Sequence, residues 1–205
     1  MGYLPRDGRS LFRGMIVYAH ANERGEILTY SARDPAFAEK WNDWIRDGRP
    51  EKSRPSKHRY VKGFHRGLEL YGQAAERLAD RRLKESLGRI GLVVVEGMND
   101  VIRLSGLGIA AVGLCSNKAT DDQIEKLERF ARSAGQDRIV LLPDNDDDGE
   151  AGFKELLWAL AERGLDVRLG WSRRSHDGRF EGLQPEQLSD DVWENVLLPG
   201  IVNRE

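Results

Sequence analysis

The stretch "DNDDDGEAGFKE", residues 144–155, sets Asp144, Asp146 and Asp148 two apart, then Gly149 and Glu155. That spacing fits a calcium loop, in which alternate acids and a closing glutamate surround one Ca²⁺. A second acidic pair stands earlier in the chain, Glu96 and Asp100 in "VVVEGMND". If Glu96 met Asp144 and Asp146, with Asp100 one helical turn away, the cluster would offer hard oxygens to Mg²⁺ or Mn²⁺, the chemistry of metal-assisted phosphoryl transfer. Acids at a helix start are also favoured by the helix dipole alone. Spacing therefore leaves three readings, and the elements that carry the acids must choose among them.

From Gly91 onward the periodicity alternates. "GLVVVEG", "IAAVGLC", "DRIVLL" and "LDVRLGW" are short continuous apolar runs, as for strands covered on both faces. Between them "MNDVIRLSGLG", "TDDQIEKLERFARSAG" and "DDGEAGFKELLWALAERG" have helical spacing. Thr120 is an N-cap, Ile124, Leu127 and Phe130 share one apolar face, and Gly135 and Gly164 are stops. Strand and helix alternating in this way predict a mostly parallel α/β sheet, whose ligands gather at the carboxyl ends of the strands. Glu96 follows "LVVV" directly and Asp144 follows "RIVLLP", so both point at one crest. A calcium loop needs a helix before it, whereas here a strand precedes through Pro143, and Glu155 falls inside a helical pattern already begun. Asp144 and Asp146 are the working pair.

Before Gly91 the pattern differs. "GMIVYAHANERGEILTYSAR" predicts a hairpin, "DPAFAEKWNDWIRDG" a short helix with Trp41, Trp44 and Ile45 on its apolar face, "RPEKSRPSKHRYVKG" an exposed basic loop, and "YGQAAERLADRRLKESLGRIG" one helix. The expected boundary lies near residue 88: a smaller β-containing basic subdomain over 1–88 and an α/β domain over 89–205. Charge divides the same way. Residues 1–90 hold 19 Lys and Arg against 12 Asp and Glu, and residues 91–205 hold 13 against 22, which suits a protein that holds a polyanion with one part and divalent cations with the other. The single Cys115 excludes a disulfide framework and a CxxC zinc site. With no apolar run of membrane-spanning length and no signal-peptide core in "MGYLPRDGRS", the expected location is cytoplasmic.

"VVVEGMND" followed by "LLPDNDDDG" resembles the EGxxD and DxDxxG signatures of the TOPRIM domain shared by DnaG-type primases, topoisomerases and several nucleases. The resemblance implies a Rossmann-like fold, with Glu96, Asp144 and Asp146 catalytic or metal-binding and Asp100 supporting the metal site. "FRGMIVYAHANERGEILTYSAR", "RYVK" and "FHRGLELYG" are similar to primase segments, running from FRxRI through KYLN to FxKGxxLYG. On that likeness Arg13, Arg33, Arg59, Tyr60 and Arg66 would form a basic groove for template DNA and nucleotide phosphates.

The resemblance covers roughly residues 12–190 and has departures. The loop between Arg33 and Arg59 is longer than usual, and "SNKAT" replaces a segment close to GTALT. "FEGLQPEQL" occupies the place of PDGxDPDxL, leaving open whether Glu181, Gln184 and Glu186 serve a third metal. The primase zinc-binding domain, the start of the catalytic core and the helicase-docking domain are not matched. The expectation is thus a fragment, or the primase-like part of a mobile-element or phage protein, with any replicative helicase engaged through regions this chain does not contain. The implied function is synthesis of short RNA primers from nucleoside triphosphates on single-stranded DNA with Mg²⁺ or Mn²⁺. The alternatives are a TOPRIM metal-dependent nuclease and a nucleic-acid-binding module without catalysis.

Overall fold

The computed structural model describes residues 11–133 and 136–203. Close contacts group the chain into two units, one taking in residues up to 20 and 27–64, the other 21–26 and 65 onward. The α/β alternation begins near residue 88, yet residues 65–88 group with the α/β part.

The first unit is built on a three-stranded sheet. Strands β1 (Ile16–Ala21), β2 (Ile27–Arg33) and β3 (His58–Tyr60) lie in the order β1–β2–β3. The hairpin is as the sequence predicts. β3 is not, for it falls in the stretch expected to be loop. Three residues carry too little periodicity to announce a strand, and His58–Tyr60 become one by pairing antiparallel with β2. Between β2 and β3 runs α1 (Phe37–Arg46), in which no residue is buried. The expected apolar face is therefore only partly covered. Trp41 and Trp44 pack on each other with ring centroids 5.3 Å apart, whereas Ile45 is exposed.

In the second unit the segment expected as one helix is two, α2 (Ala75–Leu78) and α3 (Arg81–Ile90). Asp80 causes the break: its carboxylate accepts the N–H groups of Arg82 and Leu83, an N-cap that competes with a continuous helix. There follow β4 (Leu92–Val95), α4 (Met98–Gly106), β5 (Ala111–Gly113), α5 (Asp121–Ser133), β6 (Arg138–Leu141), α6 (Asp147–Ala161) and β7 (Asp166–Leu169). The four strands make a parallel sheet of order β5–β4–β6–β7. Thr120 caps α5 as expected, accepting the N–H of Gln123; Gly135 lies outside the described residues. A helical segment over 190–202 closes the chain. Among the described residues no helix is long and apolar enough to cross a membrane.

β4 explains the architecture. Its Leu-Val-Val-Val run is fully buried because alternate residues feed two separate cores. Val93 and Val95 join Trp171, Trp193 and Ile201 on one face, while Leu92 and Val94 join Ile124, Leu127, Phe153 and Leu160 on the other. Each such side chain contributes about 1.5–3 kcal/mol by leaving water. With both faces covered by apolar side chains, polar groups are left to the ends of the strands. Leu92 stands opposite Ile139 and Val94 opposite Leu141, so β4 and β6 end level with each other.

Candidate active site

That register brings Glu96 and Asp144 together. The Glu96 carboxylate accepts the N–H of Asp144 through Oε1 at 3.1 Å, so the turns leaving β4 and β6 are tied at the crest. Gly149, in the first turn of α6, presses against both. A Cβ there would stand 2.3 Å from the Asp144 carbonyl oxygen and 2.6 Å from Glu96 Oε1, closer than any side chain allows. Asp146 caps α6, accepting the Gly149 N–H at 2.8 Å, and it is exposed. One acid of the pair thus faces inward, and the other holds the helix start.

Asp100 is engaged differently. Only 3% exposed, it accepts the Gly97 N–H at 2.9 Å through one oxygen and the Glu186 N–H at 2.8 Å through the other. It fastens the Glu96–Gly97 turn and the 184–187 turn, and both of its oxygens have backbone donors. Gln184 donates its side-chain amide to Asp144 Oδ2.

Crowded acids under a partly buried crest release their protons reluctantly. Burial first, then the charge of Asp144, push the Glu96 carboxyl up to about 8; the Asp144 N–H opposes the rise, while Asp146 and Asp100 add to it. Burial and then Asp144 push Asp100 up to about 7, against the N–H groups of Glu186 and Gly97.

Among the described residues no three His, Cys, Asp or Glu side chains converge closely enough to form a ready-made metal cage. The donor set of Glu96, Asp144 and Asp146 is all carboxylate and partial, which fits a hard cation that keeps waters or phosphate oxygens as its other ligands. It does not fit a calcium loop. Asp148 and Glu155 both lie within α6, and Glu155 pairs with Lys118 at 3.4 Å.

The basic residues are distributed. Arg13 is exposed in a turn of the first unit. Arg33 stands opposite His58, Ser31 opposite Tyr60 and Ala32 opposite Arg59, so strand alternation puts Arg33 and Tyr60 on one face of the small sheet and Arg59 on the other. Arg59 donates to the Leu11 carbonyl at 3.1 Å. Arg66 belongs to the second unit, where it donates to the Cys115 carbonyl at 3.2 Å, while the Cys115 N–H donates to the Glu96 carbonyl at 2.8 Å. Arg66 is thus one residue removed from the crest.

Two contributors went unread in the sequence. Asn145, buried between the two acids, donates its amide to the Phe180 carbonyl at 2.7 Å and its N–H to the Leu183 carbonyl at 2.9 Å, while its own carbonyl accepts from Gly182 at 2.7 Å. It pins the segment that delivers Gln184. Arg173 bridges Asp147 and Glu181, so Glu181 is engaged in an ion pair. An asparagine between two aspartates at a strand end was the available signal for the first; nothing local marked the second.

Residues 93–177 match a family model described as Toprim-like. Over those residues the chain is similar to Toprim-like proteins. No match was found among curated protein sequences. Similar folds are found in solved structures: the zinc-binding and RNA polymerase domains of the Aquifex aeolicus primase (22% identity, TM-score 0.62, 95% of this chain and 41% of that one) and the E. coli primase catalytic core (21%, 0.61, 97% and 55%). A third is a DnaG primase catalytic domain bound to single-stranded DNA (22%, 0.60, 93% and 51%). The parallel sheet flanked by helices, with a small antiparallel sheet before it, is the fold of primase TOPRIM cores. This chain spans about half the length of the solved chains it matches.

Proposed function

We propose that this chain is the catalytic part of a primase-like nucleotidyltransferase, joining nucleoside triphosphates into short RNA on single-stranded DNA. The observation that carries the reading is the tie between Glu96 and Asp144 at the crest of a TOPRIM fold shared with primase cores. Glu96, Asp144 and Asp146 would hold Mg²⁺ or Mn²⁺, which when bound neutralises triphosphate charge and favours the attacking oxygen. Asp100, fastened by one backbone N–H on each oxygen, would support the site from beside them.

In the reaction the primer 3′-oxygen bonds to the α-phosphorus, the bond to pyrophosphate breaks, and the hydroxyl proton must leave. Glu96, whose Oε1 accepts the Asp144 N–H, would keep Oε2 for the cation, and the hydroxyl proton would pass to solvent. Arg66, beside the crest, would meet phosphate oxygens. Arg13, Arg33, Tyr60 and Arg59 would contact the template strand, with Arg33 and Tyr60 on the sheet face opposite Arg59. Single-stranded DNA as partner is supported by the primase domain solved with it. This function would place the chain in the cytoplasm, with any helicase contact supplied from outside it.

Incubation with unlabelled single-stranded DNA, labelled nucleoside triphosphates and Mg²⁺ or Mn²⁺ tests the proposal. Labelled RNA a few nucleotides long, lost in Asp144→Asn, is the expected product. Cleaved DNA without RNA would mean a nuclease, and binding without either product a non-catalytic module.

A further inference from the structure

The connection from β2 to β3 is a closed excursion, at whose base the Asp34 N–H donates to the Lys57 carbonyl at 3.0 Å. Within it α1 is amphipathic yet buries no residue. At about 100° per residue, Phe37, Trp41, Trp44 and Ile45 share one side of the helix, with Glu39, Asp43 and Arg46 on the other. The aromatic side is a row of rings, with centroids 5.7 Å apart from Phe37 to Trp41 and 5.3 Å from Trp41 to Trp44. The Trp44 indole N–H donates to the Pro50 carbonyl at 3.2 Å, and the Arg54 guanidinium lies 5.0 Å over the Trp41 ring. One ring of the row therefore takes a flat group on its face. Ile45, beside it, is 58% exposed.

Charge in the excursion leaves cations over. Residues 46–62 hold seven Lys and Arg against two acids. Lys40 neutralises Asp34 at 2.5 Å, Arg46 Asp43 at 2.8 Å, Arg49 Asp47 at 2.6 Å and Arg54 Glu51 at 3.0 Å. Lys52, Lys57 and Lys62 make no ion pair among the described residues. Flat rings beside uncompensated ammonium groups suit an unpaired strand, the rings meeting its base faces and the ammonium groups its phosphates.

We propose that α1 and the basic stretch after it form a further contact surface for single-stranded nucleic acid, with a base stacked on Trp41 or Trp44 and the adjoining phosphates on Lys52, Lys57 and Lys62. The proposal rests on the reading of single-stranded DNA as partner, but needs neither metal nor nucleotide. It uses a segment outside the likeness to primase segments, since the connection between Arg33 and Arg59 is longer here. A duplex does not serve, because its bases are stacked on one another. A lipid surface fits poorly, for α1 has ten residues and its polar side carries Glu39 and Asp43.

The test is photocrosslinking of the whole chain, in chelator, to an oligothymidine carrying 5-bromouracil, with the crosslinked residue located by mass spectrometry. Trp41 or Trp44 should carry the crosslink. Replacing both by alanine should weaken binding about fivefold or more, with circular dichroism showing the fold retained. Lys52→Gln, Lys57→Gln and Lys62→Gln together should lower the slope of log affinity against log salt by about two. Wild type that binds the oligomer but crosslinks only elsewhere, or a slope unchanged by the lysine variant, would overturn the proposal and leave DNA as partner. Wild type that does not bind the oligomer would overturn both. A dimer dissolved by Ile45→Arg, with α1 never crosslinked, would assign the face to a second copy and overturn the proposal.

Discussion

Glu96→Gln should stabilise the metal-free protein at neutral and alkaline pH. An acid whose folded pKa is raised contributes stability that is fully present below its ordinary value and lost as pH rises through the folded value. For Glu96 the window runs from 4.5 to about 8. Each pH step inside it costs about 1.4 kcal/mol, so at pH 7 the ionisable side chain costs the fold about 3 kcal/mol, reduced to about 2 because water reaches part of the crest. Glutamine keeps the acceptor for the Asp144 N–H and cannot ionise. Urea unfolding with chelator present should therefore show Glu96→Gln within about 1 kcal/mol of wild type at pH 5 and more stable by about 2–3 kcal/mol at pH 8. Adding Mg²⁺ at pH 8 should narrow the gap by stabilising wild type selectively. A Glu96→Gln protein less stable than wild type at pH 8 in chelator would refute the reasoning, for it would mean that the carboxylate is favoured where it lies.

Other consequences can be measured directly. Asp144→Asn should abolish Mg²⁺-dependent primer synthesis, whereas Glu155→Gln, altering an exposed helix residue paired with exposed Lys118, should leave the rate within about twofold. Gly149→Ala forces a methyl against the Asp144 carbonyl and Glu96 Oε1, and should lower thermal stability by about 1–3 kcal/mol while weakening Mn²⁺ binding at least tenfold. Arg33→Ala should reduce the salt slope of single-stranded DNA affinity by about one phosphate contact, read by fluorescence anisotropy across a range of salt concentrations.

What was legible in the sequence was local. The four strands of the parallel sheet, their helices and the level endings of β4 and β6 follow from apolar runs and from acids placed directly after them, so Glu96 and Asp144 could be brought together by topology alone. Gly149 was visible as part of a turn signature, although its reason, a carbonyl and a carboxylate where a Cβ would stand, is not. Features that depend on distant partners were hidden. β3 exists through its pairing with β2, and the split between Arg33 with Tyr60 and Arg59 depends on a register in which a slip of one residue would reverse every face. Spacing placed the Asp100 carboxylate near the crest, but not the backbone N–H groups of Gly97 and Glu186 that it accepts. The role of Asn145 depends on residues 180–183, which lie far from it in the sequence.

The most direct test of the account is the location of the cation. Crystals soaked in Mn²⁺ and measured for anomalous scattering should show one peak at the carboxyl end of β4 and β6, with the ion about 2.1–2.2 Å from carboxylate oxygens of Asp144 and of Glu96 or Asp146. A peak coordinated by Asp148 and Glu155, or a crest left empty while Mn²⁺ binds elsewhere on the second unit, would contradict it.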